Sequence, residues 1–316
     1  MNILIDPLLF LQHLREMSGG LFDTFFTSCS FYAETVSFIA LIAIFYWCIN
    51  KKMGEYLIIS FCFSNIIMVF FKNLTCIYRP WILDSRIKPV KDAIPGATGY
   101  SFPSGHSANA TTLFGGLALR GKISKAAIIL CIVCIILIVF SRLYCEVHSI
   151  VDVSGGILLS IITLIIMNKI FNKLEENPNL DIIISVIGLI LMGLLMVFTV
   201  TKSYPMDYNA AGKLIVNPET MIPGSFGIYG IITSLLISWP IERHFINFSH
   251  EGTTEAKIIR YICGLIGIGI ISQIIIPVIG FETIGQNFTG TFILGLFVML
   301  IYPAIIKYFQ NRSKSV

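Results

Sequence analysis

Three cations and two small residues in the middle of the chain have the chemistry of a phosphate-binding site. Lys72 and Arg79 both lie in KNLTCIYRP, and Arg142 lies further along the chain in SRLYCEVHSIVD. Guanidinium groups offer planar pairs of donors that match phosphoryl oxygens, and a lysine ammonium adds compact positive charge. Ser104 and Gly105, in PSGH, add a hydroxyl and a backbone N–H. A helix that begins here would direct its free N–H groups and positive dipole end at the same anion.

Two histidines and one carboxylate accompany this cradle, and they are the residue types needed to break a phosphorus–oxygen bond. His106 closes the PSGH segment, and His148 and Asp152 lie in SRLYCEVHSIVD. One imidazole can attack phosphorus and become a phosphohistidine, while the other protonates the departing oxygen and later activates water. If His148 and Asp152 are both helical, they share a face, and the carboxylate holds one ring nitrogen protonated so that the other is a free nucleophile.

The order and spacing of these residues resemble the type 2 phosphatidic acid phosphatases, which share their active-site pattern with vanadium-dependent haloperoxidases and glucose 6-phosphatase. The family pattern is a Lys, six residues and Arg-Pro; then Pro-Ser-Gly-His; then Ser-Arg, five residues, His, three residues and Asp. Matching all three motifs in order is far more specific than a single short motif. The matching residues are Lys72, Arg79, Pro80, Pro103, Ser104, Gly105, His106, Ser141, Arg142, His148 and Asp152.

The resemblance implies a role for each matched side chain. His148 becomes the nucleophile, Asp152 its orienting partner and His106 the general acid. The resemblance also implies a site without a metal ion, and no cofactor is expected. The implied phosphate pocket consists of Lys72, Arg79, Ser104, Gly105 and Arg142.

The composition places these residues in a membrane protein. Hydrophobic residues make up 55% of the 316 residues and charged residues 13%, with a mean hydropathy of +0.83, whereas soluble proteins carry about 25% charged residues. The net charge of +4 is distributed between apolar runs and does not indicate a nucleic-acid partner. We therefore predict an all-α fold, a polytopic helical bundle embedded in the bilayer.

Apolar segments long enough to cross a ~30 Å hydrocarbon core recur along almost the whole chain, and we predict nine of them. The third is short and opens on PSGH, as expected of a helix whose N-terminus lines a polar cavity. The approximate spans are 31–49, 55–71, 105–120, 125–142, 149–171, 181–201, 221–241, 258–279 and 288–309.

These spans suggest three regions and an orientation. We predict an interfacial amphipathic segment over 1–30, a membrane phosphatase core with the three motifs over 31–172, and four additional transmembrane helices of unassigned role over 173–316. The loops on the side of Lys51 and Lys52 carry more Lys and Arg than the opposite set, and cytoplasmic loops are the basic ones. The N-terminus and the active site are thus predicted outside the cytoplasm and the C-terminus inside; in a bacterium the membrane would be the cell membrane.

A membrane location favours a lipid substrate, because its tail can remain in the bilayer while its phosphate enters the cradle. We predict a metal-independent phosphatase for a lipid phosphate or pyrophosphate of the phosphatidic acid, phosphatidylglycerol phosphate or isoprenyl diphosphate type. Three alternatives remain: a phosphotransferase of the same mechanism, a sugar phosphatase like glucose 6-phosphatase, and a non-catalytic transporter or scaffold. The sequence leaves the oligomeric state open.

Overall fold

The fold is helical, as predicted. The structure is a computed structural model that describes residues 3–31, 35–209 and 212–313. Within these residues, the only strand-like pairing is an isolated antiparallel bridge between Tyr208 and Leu214. The helices are α1 (Asp6–Met17), α2 (Asp23–Phe31), α3 (Thr35–Ile44), α4 (Lys51–Thr75), α5 (Pro80–Leu83), α6 (Gly105–Ala110), α7 (Gly116–Arg120), α8 (Lys125–Tyr144), α9 (Ile150–Glu176), α10 (Leu180–Thr201), α11 (Pro218–Ile241), α12 (Thr254–Ile270), α13 (Ile276–Ile279), α14 (Ile284–Leu296) and α15 (Tyr302–Ser313). Wider π-type turns occupy Phe45–Ile49, Thr111–Gly115, Glu242–Ile246, Ile271–Ile275 and Phe297–Ile301.

Seven helical segments among the described residues are long and apolar enough to cross a membrane, where nine were predicted. The predicted first span corresponds to a shorter apolar helix, Thr35–Ile49, and residues 32–34 lie outside the described part of the chain. The predicted third span consists of consecutive segments of 6, 5 and 5 residues, fewer than the roughly 20 that a spanning helix needs. The seven segments are Lys51–Leu83, Lys125–Tyr144, Ile150–Glu176, Leu180–Thr201, Pro218–Ile246, Thr254–Ile279 and Ile284–Arg312.

Helix α1 has two different faces. It buries Leu8 and Gln12, whereas Phe10, Leu14 and Met17 on the opposite side are 62%, 45% and 72% exposed. The helix thus presents a continuous apolar stripe outward, which is typical of a helix that lies in a membrane interface.

The chain divides into two compact units. The first consists of Met1–Phe38, Ser64–Ile165 and Lys202–Met221, and the second of Ile39–Phe63, Ile166–Thr201 and Ile222–Val316. In the first unit, Tyr144, Cys145 and Val147 form a buried cluster with Val90. This packing fixes the chain directly before His148.

In the second unit, close helix packing surrounds Trp47, whose indole N–H donates to the carbonyl oxygen of Val298 over 2.9 Å. A Cβ atom added to Gly264 would lie 2.2 Å from the Trp47 ring, so only glycine permits this approach of α12. Tyr302 packs edge-on against the same indole, with ring centroids 4.7 Å apart.

The second unit also contains a buried cluster of paired charges. Arg243 donates from Nε to Asp181 over 2.7 Å and from Nη1 to Glu55 over 2.6 Å, while Lys51 donates to Glu242 over 2.8 Å. All three carboxylates are buried. Each buried charge in these pairs is compensated by one of opposite sign, as a low-dielectric interior requires.

Candidate active site

The first motif places two cations at the two ends of the short connection between α4 and α5. Lys72 lies in the last turn of α4, and Arg79 lies just before α5. Lys72 Nζ donates to the carbonyl oxygens of Tyr100 and Ser101, over 2.8 Å and 3.4 Å. These neutral acceptors hold the ammonium in place while its positive charge remains available for an anion.

Arg79 is held in the same way, and it is 4% exposed. Its Nη2 donates to Thr98 O over 2.9 Å, its Nε donates to Gly99 O over 3.2 Å and its Nη1 donates to Val147 O over 2.9 Å. Gly99 has a φ of +64°, a left-handed conformation that glycine adopts without strain. The loop 98–101 therefore presents successive carbonyl groups to both cations.

The second motif forms the N-terminus of α6, which begins at Gly105 rather than at Pro103. Ser104 is the N-cap residue, and its hydroxyl oxygen accepts hydrogen bonds from the backbone N–H and the hydroxyl of Ser107, over 3.4 Å and 3.0 Å. The Ser104 N–H donates to the backbone oxygen of Asp152 over 2.9 Å. This bond joins the second motif to the third.

A pair of glycines on α9 allows this approach. A Cβ atom added to Gly156 would lie 2.6 Å from the Ser104 carbonyl oxygen, and one added to Gly155 would lie 2.3 Å from the Phe102 ring. Real Cβ atoms do not approach so closely, so a larger residue at either position would displace the turn that carries the second motif.

Buried hydroxyls support α6 from the side opposite its N-terminus. Ser64 and Ser160 share a hydrogen bond of 3.0 Å, Thr112 donates to Ser64 over 3.1 Å, and Ser160 also donates to Ala108 O over 3.1 Å. Such a connected network limits the positions that the helix can adopt, because breaking it leaves buried polar groups without partners.

The third motif begins in the last turn of α8 and continues through a tight turn into α9. Arg142 is buried, and its backbone oxygen accepts from Val147 N over 3.2 Å. His148 lies before α9 rather than inside it, so His148 and Asp152 do not share a helical face as the sequence suggested. Its Nε2 and Nδ1 atoms lie 2.9 Å and 3.4 Å from Arg79 Nη1.

Asp152 lies in the first turn of α9, and its side chain accepts hydrogen bonds from Ser149 and Ser101. The Ser149 N–H donates to Asp152 Oδ2 over 2.6 Å, and the Asp152 N–H donates to Ser149 Oγ over 3.3 Å. This reciprocal pair is a capping box. The hydroxyl of Ser101 also donates to Asp152 Oδ2, over 2.7 Å, and lies 3.3 Å from His148 Nδ1. Asp152 Oδ2 itself is 3.7 Å from His148 Nδ1.

The protonation of His148 follows from its surroundings. The side chain is buried, and burial lowers its pKa well below the usual histidine range; the positive charge of Arg79 lowers the pKa further, while Asp152 opposes the shift. The imidazole is consequently neutral near pH 7, which leaves one ring nitrogen with a free electron pair.

A segment beyond the motifs packs against this site within the first unit. Lys202 Nζ donates to the carbonyl oxygens of Asn73 and Leu74 at the end of α4. The Tyr204 ring stacks on Tyr100, with centroids 6.3 Å apart. Lys202 and Tyr204 thus stabilise both the helix end that carries Lys72 and the loop residue whose carbonyl oxygen Lys72 contacts.

The structure links several predicted residues directly. Arg79 contacts His148, Lys72 contacts the loop that also holds Arg79, and Ser104 is hydrogen-bonded to Asp152. Gly105 and His106 open α6, and Arg142 lies buried at the end of α8. Sequence reasoning missed Ser101, Ser149, Gly99, Gly155 and Gly156. Only Ser149 carried a local signal, the Ser-x-x-Asp spacing of a capping box.

The side chains present suit an oxyanion rather than a metal ion. Among the described residues, no group of three or more His, Cys, Asp and Glu side chains is placed to hold a metal. The three motifs contribute several donors: the guanidinium of Arg79, which contacts His148, the ammonium of Lys72 and the first N–H groups of α6.

A buried, neutral histidine beside basic side chains at the ends of apolar helices defines a class, the integral membrane proteins with a positively charged polar site. The family follows from comparison with known proteins. Residues 54–176 match the PAP2 superfamily, and residues 226–313 match the transmembrane extension of PAP2 superfamily phosphatases. The chain belongs to the PAP2 superfamily, and the first match contains all three motifs.

Two curated proteins are similar to parts of the chain. Lipid phosphate phosphatase delta of Arabidopsis thaliana is 22% identical over 174 residues, which cover 52% of this chain and 42% of that protein. Phosphatidylglycerophosphatase B of Bacillus subtilis (strain 168) is 28% identical over 111 residues, which cover 33% of this chain and 54% of that protein. The similarity thus spans about half the length of these relatives. No solved structure matches the chain.

Proposed function

We propose that this protein is a metal-independent phosphatase that hydrolyses a lipid phosphate or pyrophosphate through a phosphohistidine intermediate. The observation that carries the proposal is the contact of 2.9 Å between Arg79 Nη1 and His148 Nε2 in a buried, neutral imidazole. A guanidinium beside the nucleophilic nitrogen can hold a phosphoryl oxygen next to the atom that attacks phosphorus.

The reaction has two steps. His148 Nε2 attacks phosphorus, the bond from phosphorus to the alcohol oxygen breaks, and His106 gives that oxygen its proton. His106 then takes a proton from water, whose oxygen attacks the phosphohistidine, and phosphate leaves as His148 recovers its electron pair. Lys72, Arg79, Arg142, the Ser104 hydroxyl and the Gly105 N–H stabilise the negative charge on the phosphoryl oxygens throughout.

The substrate class rests on the membrane helices and on the names of the relatives, a lipid phosphate phosphatase and a phosphatidylglycerophosphatase. Phosphatidic acid, phosphatidylglycerol phosphate and an isoprenyl diphosphate all present a phosphate at the bilayer surface while their tails stay in the hydrocarbon. The exposed apolar stripe of α1 supports an interfacial position for the N-terminal segment, close to such head groups.

The test is phosphate release by detergent-purified protein in EDTA, over those three lipids, glucose 6-phosphate and an aryl phosphate. We expect release from at least one lipid, inhibition by orthovanadate, which imitates the transition state, and loss of release in His148→Ala. His13→Ala is the matched control, because His13 is exposed on α1 and outside the motifs. Release by His148→Ala at the wild-type rate would overturn the assignment of the nucleophile.

We propose further that the active site faces away from the cytoplasm, since the loops on the other side are richer in Lys and Arg. A cysteine introduced at Asp92, which is exposed in the loop before α6, should react with a membrane-impermeant maleimide in intact cells. A cysteine at Asn177, exposed between α9 and α10, should react only after permeabilisation. The reverse pattern would invert the topology.

A further inference from the structure

Ser101 lies at the point where the three motifs meet. Its side chain is fully buried, two residues before Pro103 of the second motif. Its backbone N–H donates to Ile77 O over 2.7 Å, and its backbone oxygen is one of the two acceptors of Lys72. The backbone of Ser101 is thus held by the first motif, while its hydroxyl reaches the third.

The hydroxyl occupies the gap between His148 and Asp152. The direct separation of Nδ1 and Oδ2 is 3.7 Å, longer than a hydrogen bond. Ser101 Oγ lies 2.7 Å from Asp152 Oδ2 and 3.3 Å from His148 Nδ1. In this structure the orienting effect of the carboxylate reaches the imidazole through the serine.

The directions of these hydrogen bonds follow from which groups carry hydrogen. An ionised carboxylate only accepts, so the Ser101 O–H must donate to Asp152. The remaining lone pairs of Oγ then face Nδ1, which must carry the hydrogen of the neutral ring. Arg79 only donates, so the ring nitrogen nearest to its Nη1, Nε2 at 2.9 Å, must hold the free electron pair. The two contacts select the same tautomer.

We infer that Ser101 is a positioning residue that transmits the orienting effect of Asp152 to His148 and keeps Nε2 as the nucleophilic nitrogen. The inference rests on the proposed function. As the bond between Nε2 and phosphorus forms, the ring becomes cationic and its Nδ1–H bond to Ser101 strengthens. Asp152, acting through the Ser101 hydroxyl, stabilises that charge, and no proton leaves Nδ1 during the step.

The test compares Ser101→Ala with Ser234→Ala, which removes another fully buried, hydrogen-bonded hydroxyl, one that donates to Ile231 O in the second unit. We expect Ser101→Ala to lower kcat by about 10- to 100-fold with KM within ~3-fold of wild type, since the hydroxyl acts on the nucleophile and not on phosphate binding. Ser234→Ala should change kcat by less than about 3-fold. Both variants should still be stabilised against heat by orthovanadate.

A double-mutant cycle with Asp152→Asn tests whether Ser101 acts on His148 through Asp152 or only supports the local structure. If the serine acts through the carboxylate, Ser101→Ala should lower kcat much less in the Asp152→Asn background than in wild type. Losses that multiply independently, or a Ser101→Ala variant within 2-fold of wild type, would overturn the inference. If orthovanadate no longer stabilises Ser101→Ala, Ser101→Thr takes its place in the comparison. Activity of Ser101→Thr within about 5-fold of wild type supports the inference. A loss as large as that of His148→Ala overturns the inference.

The outcome is distinguishable from a failure of the proposed function. A wild-type protein that releases no phosphate from any compound would remove the proposed function itself. A wild-type protein whose activity depends on His148 but not on Ser101 would remove only the role of Ser101.

Discussion

Two arginines in this chain, the partly exposed Arg243 and the buried Arg79, have opposite kinds of partner. In the second unit, Arg243 binds the carboxylates of Asp181 and Glu55, so its charge is compensated. In the first unit, Arg79 donates to three backbone carbonyl groups and contacts the neutral ring of His148. Carbonyl groups fix the direction of a guanidinium without cancelling its charge. The partners therefore distinguish an arginine whose charge is already compensated from one whose charge remains available.

The two lysines that accompany these arginines repeat the contrast. Lys51 binds the carboxylate of Glu242, whereas Lys72 binds the carbonyl oxygens of Tyr100 and Ser101. An uncompensated buried cation is costly by itself. We expect the first unit to recover that cost when a phosphate group binds, which explains why the phosphate cradle is built from so many donors.

The largest expected effect on activity follows from replacing Arg79. Arg79→Gln should lower kcat/KM by about 10³-fold, because a charged donor to the transferred phosphoryl group disappears, while the melting temperature stays near that of wild type. Arg86→Gln is the matched control, since Arg86 is an exposed arginine paired with Asp84 in the same unit. Equal losses of activity in the two variants would refute the special role of Arg79.

Loss of Arg243 should instead lower the stability of the protein. Arg243→Met leaves Asp181 and Glu55 buried without their cation, which should cost about 3 kcal/mol of stability, or roughly 8 °C in melting temperature. Thermal denaturation in detergent measures this, with Arg86→Met expected within about 0.5 kcal/mol of wild type. An unchanged melting temperature in Arg243→Met would show that the charge pairs contribute nothing.

A smaller effect should follow from adding one methyl group beside the site. Gly156→Ala places a Cβ atom against the Ser104 carbonyl oxygen, so the second motif must shift, and kcat should fall by about 10-fold. Gly193→Ala on α10 is the control, because nothing lies within 4 Å of its added Cβ atom. That variant should keep full activity, and equal kcat values in the two variants would show that the close approach is unimportant.

The smallest effect concerns Glu146, a buried carboxylate of the first unit that is only loosely paired. Arg15 lies 3.5 Å away, and Oε1 has no hydrogen-bond partner in the described part of the chain. Burial raises its pKa to about 8; Arg15 opposes this shift, and Glu16 and Asp23 add to it. Because the folded chain binds a proton that the unfolded chain releases at lower pH, stability should fall as pH rises from the unfolded value towards 8.

Glu146→Gln cannot titrate and should lack this dependence. Between pH 6 and pH 8 the melting temperature of wild type should fall by about 3 °C more than that of the variant. Parallel curves for the two proteins would show that Glu146 is ionised at the same pH in the folded and unfolded chains.

The sequence was sufficient for the class of fold and for the family, and the motif residues that it singles out include several that the structure brings into contact. Apolar runs report membrane helices directly, and the motif spacings are local enough to be recognised without a structure. The count of nine spans exceeds the seven long apolar helices of the described residues, because two of the predicted spans, Thr35–Ile49 and 105–120, form shorter helical segments.

Ser101 and Gly156 could not have been identified in this way. A serine is a common loop residue, and its role depends on how the loop 98–101 folds back onto α9. Gly156 is one of many glycines in apolar helices, and its importance depends on a contact with Ser104, which is distant in the chain. Both roles arise from long-range packing that no local pattern encodes.

Lys202 and Tyr204 bear on how short a fragment of this chain could be and still hold the motif residues in place. The PAP2 match ends at residue 176, yet Lys202 covers the last carbonyl groups of α4 and Tyr204 covers the ring of Tyr100. A fragment cut at the end of that match would keep every motif residue and lose the support behind Lys72. A fragment that keeps the support behind Lys72 must therefore extend past residue 176. A fragment that ends there should contain all the motif residues but hold them less rigidly.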